Sequence, residues 1–134
     1  MERRFFLGSA LASAAGFAFE SPSANAADEK PELFNVIFTE TAPGHWKGKE
    51  KTHVPTVMIK GDEISVVTDH PMSEEHFIVS HTVVLDGGVL LGRKTFGWND
   101  SPASKYMLPA GYKGKIIVTS SCNQHDWWIK EVVI

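Results

Sequence analysis

The chain has 134 residues, 43% of them hydrophobic and 22% charged, with a formal net charge of -3 and a pI near 6.0. That is the make-up of one ordinary globular domain, and it excludes the strongly basic surface that binds nucleic acid or anionic membranes. A single cysteine, Cys122, excludes an internal disulfide, so an exported form of the chain needs another occupation for that thiol, such as a metal.

The N-terminus reads as a leader. Arg3-Arg4-Phe5-Phe6-Leu7 makes a twin-arginine start, small and apolar residues run on to Phe19, and Ala24-Asn25-Ala26 follows Ser21-Pro22 as a small-residue cleavage site. The apolar run is shorter than the ~20 residues of a membrane-spanning helix, which favours a cleaved signal over a retained anchor. The expected organisation is a twin-arginine signal peptide over 1–26 and one domain over 27–134. The domain would be exported folded to the periplasm, free of the membrane once the signal is removed.

Beyond that leader, Leu33 to Phe38 is a first apolar strand. Residues 40–51 form a loop, interrupted by Pro43-Gly44, Gly48 and several lysines, with Trp46 as its one large apolar group, a lid or an anchor. His53 to Lys60 is extended and ends at Gly61-Asp62, a hairpin signal into Glu63 to Thr68. Asp69-His70-Pro71-Met72 breaks that strand, because a residue before proline is pushed out of helical space. Glu75 to Leu85 is a long strand, turned at Asp86-Gly87-Gly88 into Val89 to Gly92. A loop rich in Gly, Pro, Asn and Ser occupies 97–111. Lys115 to Thr119 and Trp128 to Val133 then flank the turn Cys122-Asn123-Gln124-His125. No sustained helical period follows the leader. About seven short strands between turn signals predict an all-β fold, an antiparallel β-sandwich of immunoglobulin-like type.

The metal-type side chains fall at the ends of these strands. His53 opens one, His70 ends one, His76 opens the next, and Cys122 and His125 share the last turn. Strand ends gather at the rims of a sandwich, so four imidazoles and one thiolate can meet at one rim. Of the six histidines, two are set aside. His81 lies an odd number of residues after His76 and so points to the opposite sheet face, in a structural or solvated role. His45 sits in the early loop beside Trp46 and is expected to be exposed.

Four histidines and a cysteine overfill zinc, which closes at four ligands, but suit iron, which takes five or six and keeps one position open. A blue-copper site would use Cys with two His and want an axial Met soon after the second His. Met58, Met72 and Met107 all precede Cys122, which disfavours copper. A histidine-activated cysteine nucleophile accounts for Cys122 and one histidine and leaves three idle.

Three segments together resemble a known family. His53-Val54-Pro55, His70-Pro71-Met72-Ser73-Glu74-Glu75-His76-Phe77-Ile78 and Cys122-Asn123-Gln124-His125 look like the iron-binding motifs of superoxide reductases, the neelaredoxin and desulfoferrodoxin family. Gly44-His45-Trp46-Lys47-Gly48 resembles the lead-in to the first motif. The two-iron members carry a further module that needs four cysteines, so this chain resembles the one-iron class.

The resemblance implies an immunoglobulin-like sandwich and a mononuclear iron centre. His53, His70, His76 and His125 would lie in a plane about the iron, with Cys122 as axial ligand and the opposite face open to superoxide. It further implies one-electron reduction of superoxide to hydrogen peroxide, an electron-donor protein of rubredoxin or cytochrome type, and assembly into a homo-oligomer. A thiolate trans to the open position favours electron donation, and backbone N–H groups around Asn123 and His125 would moderate it. Trp127 and Trp128 would keep water from the thiolate side or fill the core.

One departure stands out. The family has Glu-Lys directly before the first ligand, whereas here Thr52 stands between Glu50-Lys51 and His53. Lys51 and Glu50 are carried over as the catalytic pair, the lysine to attract superoxide and the glutamate to reach the oxidised iron. A one-residue shift in an extended chain reverses side-chain direction, so the carry-over needs a bulge, and Lys49 and Lys47 are substitutes of the same kind. That shift also motivates an alternative, a non-catalytic iron electron carrier or redox sensor. A metal-free binding module is a third reading.

Overall fold

The computed structural model describes residues 36–134. The expected leader, the start of the domain at 27 and the first half of the strand expected from Leu33 lie outside the described residues. Eight strands follow in chain order: β1 (Ile37–Phe38), β2 (Thr56–Lys60), β3 (Glu63–Val67), β4 (Ile78–Leu85), β5 (Leu90–Thr95), β6 (Ala103–Met107), β7 (Lys115–Cys122) and β8 (Asp126–Val133). They build a five-stranded sheet in the order β1-β8-β7-β4-β5 and a three-stranded sheet in the order β2-β3-β6. The all-β, immunoglobulin-like sandwich expected from the turn signals is the observed fold.

Alternation along the strands makes the core. Ile64 and Val66 of β3, Val83 and Leu85 of β4, and Ile116 and Val118 of β7 share one buried cluster with Leu108. Each such side chain contributes roughly 1.5–3 kcal/mol by leaving water. The β2–β3 hairpin turns where the glycine signal put it: Gly61 takes φ 60°, and Lys60 pairs with Glu63.

Four expectations need correction. β1 pairs with β8 in parallel, Ile37 opposite Trp127, so the larger sheet is not wholly antiparallel. The stretch 97–111, read as loop, contains β6, which pairs with β3 from Glu63↔Met107 to Val67↔Ala103. The segment before β2 is not extended. Glu50–His53 is a single α-helical turn, α1, preceded by a 3-10 turn over Gly44–Trp46. His76 lies before β4 begins, so strand parity does not relate it to His81. Among the described residues no helix is long and apolar enough to cross a membrane.

Candidate metal centre

The pairing registers send five chain segments to one rim. Thr56 at the start of β2 faces Val67 at the end of β3, Ile78 at the start of β4 faces Cys122 at the end of β7, and Cys122 faces Asp126 at the start of β8. The peptides just outside those strand ends carry His53, His70, His76 and His125. The five expected donors therefore come together from sequence positions far apart.

Their donor atoms are closely spaced. His53, His70, His76 and Cys122 each offer one atom within 4.8 Å of the others. His125 completes the set, its Nδ1 lying 3.1 Å from His53 Nε2, 2.9 Å from His76 Nε2 and 3.5 Å from Cys122 Sγ. His70 Nε2 is 3.0 Å from His76 Nε2. The sulfur is 3.2 Å from His76 Nε2 and 4.0 Å from His70 Nε2.

These separations test whether a metal fits. Two nitrogens each ~2.1 Å from a common ion are about 3.0 Å apart at a right angle and about 3.4 Å apart at the tetrahedral angle. Neighbouring imidazoles spaced at 2.9–3.1 Å match the right angle of a five- or six-ligand ion rather than a tetrahedral one. Met72 does not change the donor set, since its sulfur accepts the Ile78 N–H at 3.3 Å.

Local structure fixes each donor. His53 closes α1, and its Nδ1 lies 3.0 Å from the Lys49 carbonyl and 2.9 Å from Thr52 Oγ1. A carbonyl only accepts, so Nδ1 carries the proton and Nε2 turns its lone pair to the cluster. His76 ends a tight turn in which its own N–H and the Ser73 N–H exchange bonds with the opposite carbonyls. His125 ends the β7–β8 turn, where the buried Trp128 indole donates to its carbonyl at 2.8 Å.

Burial, with neighbouring charge, pushes all four imidazoles toward the neutral form. Burial, helped by repulsion between the rings, lowers His53 to about 4 against an opposing bond from the Lys49 carbonyl. Burial and His76 likewise lower His70 to about 4. Burial first and the Lys49 charge second lower His76 and His125. The Cys122 thiol is raised by burial, and the Gln124 and His125 amides oppose that rise. The Gln124 N–H points at the sulfur from 3.4 Å. The amide of Asn123, expected there too, instead donates to the Phe77 carbonyl.

The lysine charge felt at His70, His76, Cys122 and His125 is that of Lys49. Helical geometry explains it. Lys49 caps α1 four residues before His53 and shares its face, whereas Lys51, two residues before, is turned roughly 200° away. Lys51 is exposed and lines a cleft with Glu40, Glu50, Pro55 and Lys130. The Glu50 carboxylate accepts the Gly48 N–H at 3.0 and 2.9 Å, the main cause of its lowered pKa. The pleat argument does not apply to Thr52, which sits in a helical turn.

The aromatic neighbours divide. Trp128 is fully buried and packs against Phe38 and the His53 ring. Trp127 is 43% exposed and is not part of the buried cluster around the thiolate. The sulfur's dry side comes from Ile78 and Phe96, with Met72 packed on them. Trp46 is an anchor: its indole donates to Asp126 Oδ2 at 2.9 Å while its ring meets the His125 ring edge-on at 4.6 Å. His45 is exposed at its side, its ring against Phe38 and Trp46.

Sequence reasoning missed two residues inside the motif it relied on. Asn123 Oδ1 accepts the Phe77 N–H at 3.0 Å and its Nδ2 donates to the Glu75 carbonyl at 3.0 Å, which Gln124 Nε2 also reaches at 2.7 Å. The two middle residues of the Cys122–His125 turn thus tie it to the segment bearing His76. Asp126 was missed as well; its φ of 63° is a left-handed conformation that costs a non-glycine residue ~1–2 kcal/mol.

The desulfoferrodoxin family model matches residues 45–131, the span that holds all five donors. This chain belongs to the desulfoferrodoxin family. Within the family it is 33% identical over 106 residues to the superoxide reductase of Pyrococcus abyssi, covering 66% of this chain and 90% of that protein. The Pyrococcus horikoshii superoxide reductase is 32% identical over the same shares. The solved superoxide reductase (neelaredoxin) of Ignicoccus hospitalis superposes with a TM-score of 0.62 at 25% identity, covering 73% of this chain and 93% of that one.

Proposed function

We propose that this protein is a one-iron superoxide reductase, with iron held by His53, His70, His76 and His125 and by the Cys122 thiolate. The observation that carries the reading is the convergence of four neutral imidazole nitrogens and one sulfur at right-angle spacing, in a family whose similar members are named superoxide reductases. Ferrous iron held there would supply the one electron that, with two protons, converts superoxide to hydrogen peroxide.

The chain's own residues set the conditions. Five donors leave a six-coordinate ion one position for a small anion. Lys49 supplies positive charge beside the cluster and takes the steering role that the family motif suggested for Lys51. Glu50, bound to the Gly48 amide, serves the loop that carries Lys49. Ile78 and Phe96 keep the sulfur dry, and the Gln124 amide withdraws part of its charge. An electron donor of rubredoxin or cytochrome type would be needed to return such iron to the ferrous state, and the protein would work as a homo-oligomer. The twin arginines and the Ala24-Asn25-Ala26 site support export to the periplasm with cleavage after residue 26.

Stopped-flow or pulse-radiolysis mixing of the ferrous protein with superoxide tests the activity. Rapid stoichiometric oxidation with one peroxide per iron is expected. Slow or sub-stoichiometric oxidation would leave an electron carrier as the better description.

A further inference from the structure

Beneath the rim, each inner strand face ends in a polar residue instead of an apolar one. Ile64 and Val66 lead to Thr68, Ile116 and Val118 lead to Ser120, and Leu85 and Val83 lead back to His81; β6 adds Ser104. All four polar residues are buried, His81 and Ser120 completely. Their hydrogen bonds close on one another: His81 Nδ1 with Ser104 Oγ at 2.8 Å, His81 Nε2 with Thr68 Oγ1 at 2.8 Å, and Thr68 Oγ1 with Ser120 Oγ at 2.8 Å. Burial lowers His81 to about 4, so the ring is neutral and offers one donor and one acceptor.

Thr68 is the hub of this layer and also the nearest fixed point to a proposed iron ligand. Its N–H donates to the Pro102 carbonyl at 3.1 Å, and its carbonyl accepts the His70 N–H at 2.8 Å. Apart from its neighbours in the cluster, the His70 ring has no side-chain partner among the described residues to orient it. Its Nδ1 is buried without a well-formed hydrogen bond, the backbone of the adjacent Pro71 being the one polar group that favours its protonation. His53 differs, because its ring is held by the Lys49 carbonyl. An imidazole without an outer partner depends on its backbone for direction.

We infer that Thr68, clamped by His81 and Ser120, is the positioning residue for His70, doing through the main chain what a ring hydrogen bond does for His53. The inference rests on the iron-site reading above. Its consequence is that a hydroxyl in the sandwich core governs iron affinity and the electronic character of the site without touching the metal.

Thr68→Val keeps the shape and the backbone bonds but removes the hydroxyl, while Ser104→Ala removes the other bond of His81 and leaves both hydroxyl bonds of Thr68 in place. Iron affinity by chelator competition, the thiolate-to-iron charge-transfer band of the ferric protein and its midpoint potential are the readouts, with thermal melting for stability. Thr68→Val is expected to weaken iron binding by ~10-fold or more, the range for lost outer-shell support, and to shift band and potential. Ser104→Ala is expected to melt earlier with affinity, band and potential unchanged, and Thr68→Ser to restore the parent values. If Thr68→Val does not fold, Ser120→Ala takes its place and should weaken binding by at least ~3-fold relative to Ser104→Ala. A parent protein that binds iron while all these variants bind it equally well would overturn the inference. A parent protein that binds no iron would overturn the ligand assignment itself.

Discussion

The molecule holds two groups of buried histidine, and they solve the same problem in different ways. In the core, each nitrogen of His81 faces a hydroxyl, and a hydroxyl can donate or accept as the ring requires. At the rim, nitrogens face nitrogens and a sulfur. His53 Nε2 has no proton to give, and a single proton on His125 Nδ1 cannot serve both His53 and His76. The first group is satisfied by the protein alone. The second gathers lone pairs and a sulfur in an arrangement that a shared cation would satisfy, as the proposed iron site requires.

The sharpest break of that comparison is to remove a rim nitrogen. His76→Ala is expected to lower iron affinity by ~100-fold or more, since even outer-shell partners are worth ~10–100-fold. Metal analysis after dialysis against chelator checks this, and full occupancy would count against the donor set. Cys122→Ser should retain some iron but lose the thiolate-to-iron band and most of the reaction with superoxide, read by absorption and stopped flow.

The metal-free protein offers a second contrast, in pH. His81, His53 and His70 are held near 4 by burial, against 6.5 for a free ring. The unfolded chain therefore binds more protons once the pH drops below about 6.5. Stability is full above that pH and is lost as it falls through 4, by on the order of 3 kcal/mol for His81 alone. Denaturant titrations of the metal-free protein from pH 8 to 4 should trace the decline; a flat profile would mean the rings are not held neutral.

Smaller effects separate the lysines and the anchor. Lys49→Ala should slow reaction with superoxide by ~3- to 10-fold at low salt and less at high salt, with Lys51→Ala closer to the parent. The reverse ranking would return the role to Lys51. Trp46→Phe removes the bond to Asp126 and should cost ~1 kcal/mol in thermal or chemical unfolding.

The residues that meet at the rim were legible in the sequence because each sits beside a turn signal: proline after His70, the strand break before His76, and the short Cys122–His125 turn. What hid was either too short or too remote. A four-residue helical turn at Glu50–His53 carries no detectable period, yet it decides which lysine faces the cluster. β6 reads as loop because Ser104, a polar residue, occupies an inward position, where it meets His81 from 23 residues earlier in the chain. Parity with His76 leaves His81 a structural or solvated role, but His76 is not in the strand; the burial of His81 beside Val83 and Leu85 is what makes it structural. The pairing of β1 with β8 joins the two ends of the described chain and has no local signal at all.

Cys122 has no partner thiol, but its position gives the chain an equivalent of a disulfide. His53 and His125 are separated by 72 positions and His76 and Cys122 by 46. An ion bridging them closes loops whose entropy in the unfolded chain is worth roughly 4 kcal/mol, the scale of a long-range covalent cross-link. Loading and loss of iron would then set how long the folded chain survives, as well as whether it can react.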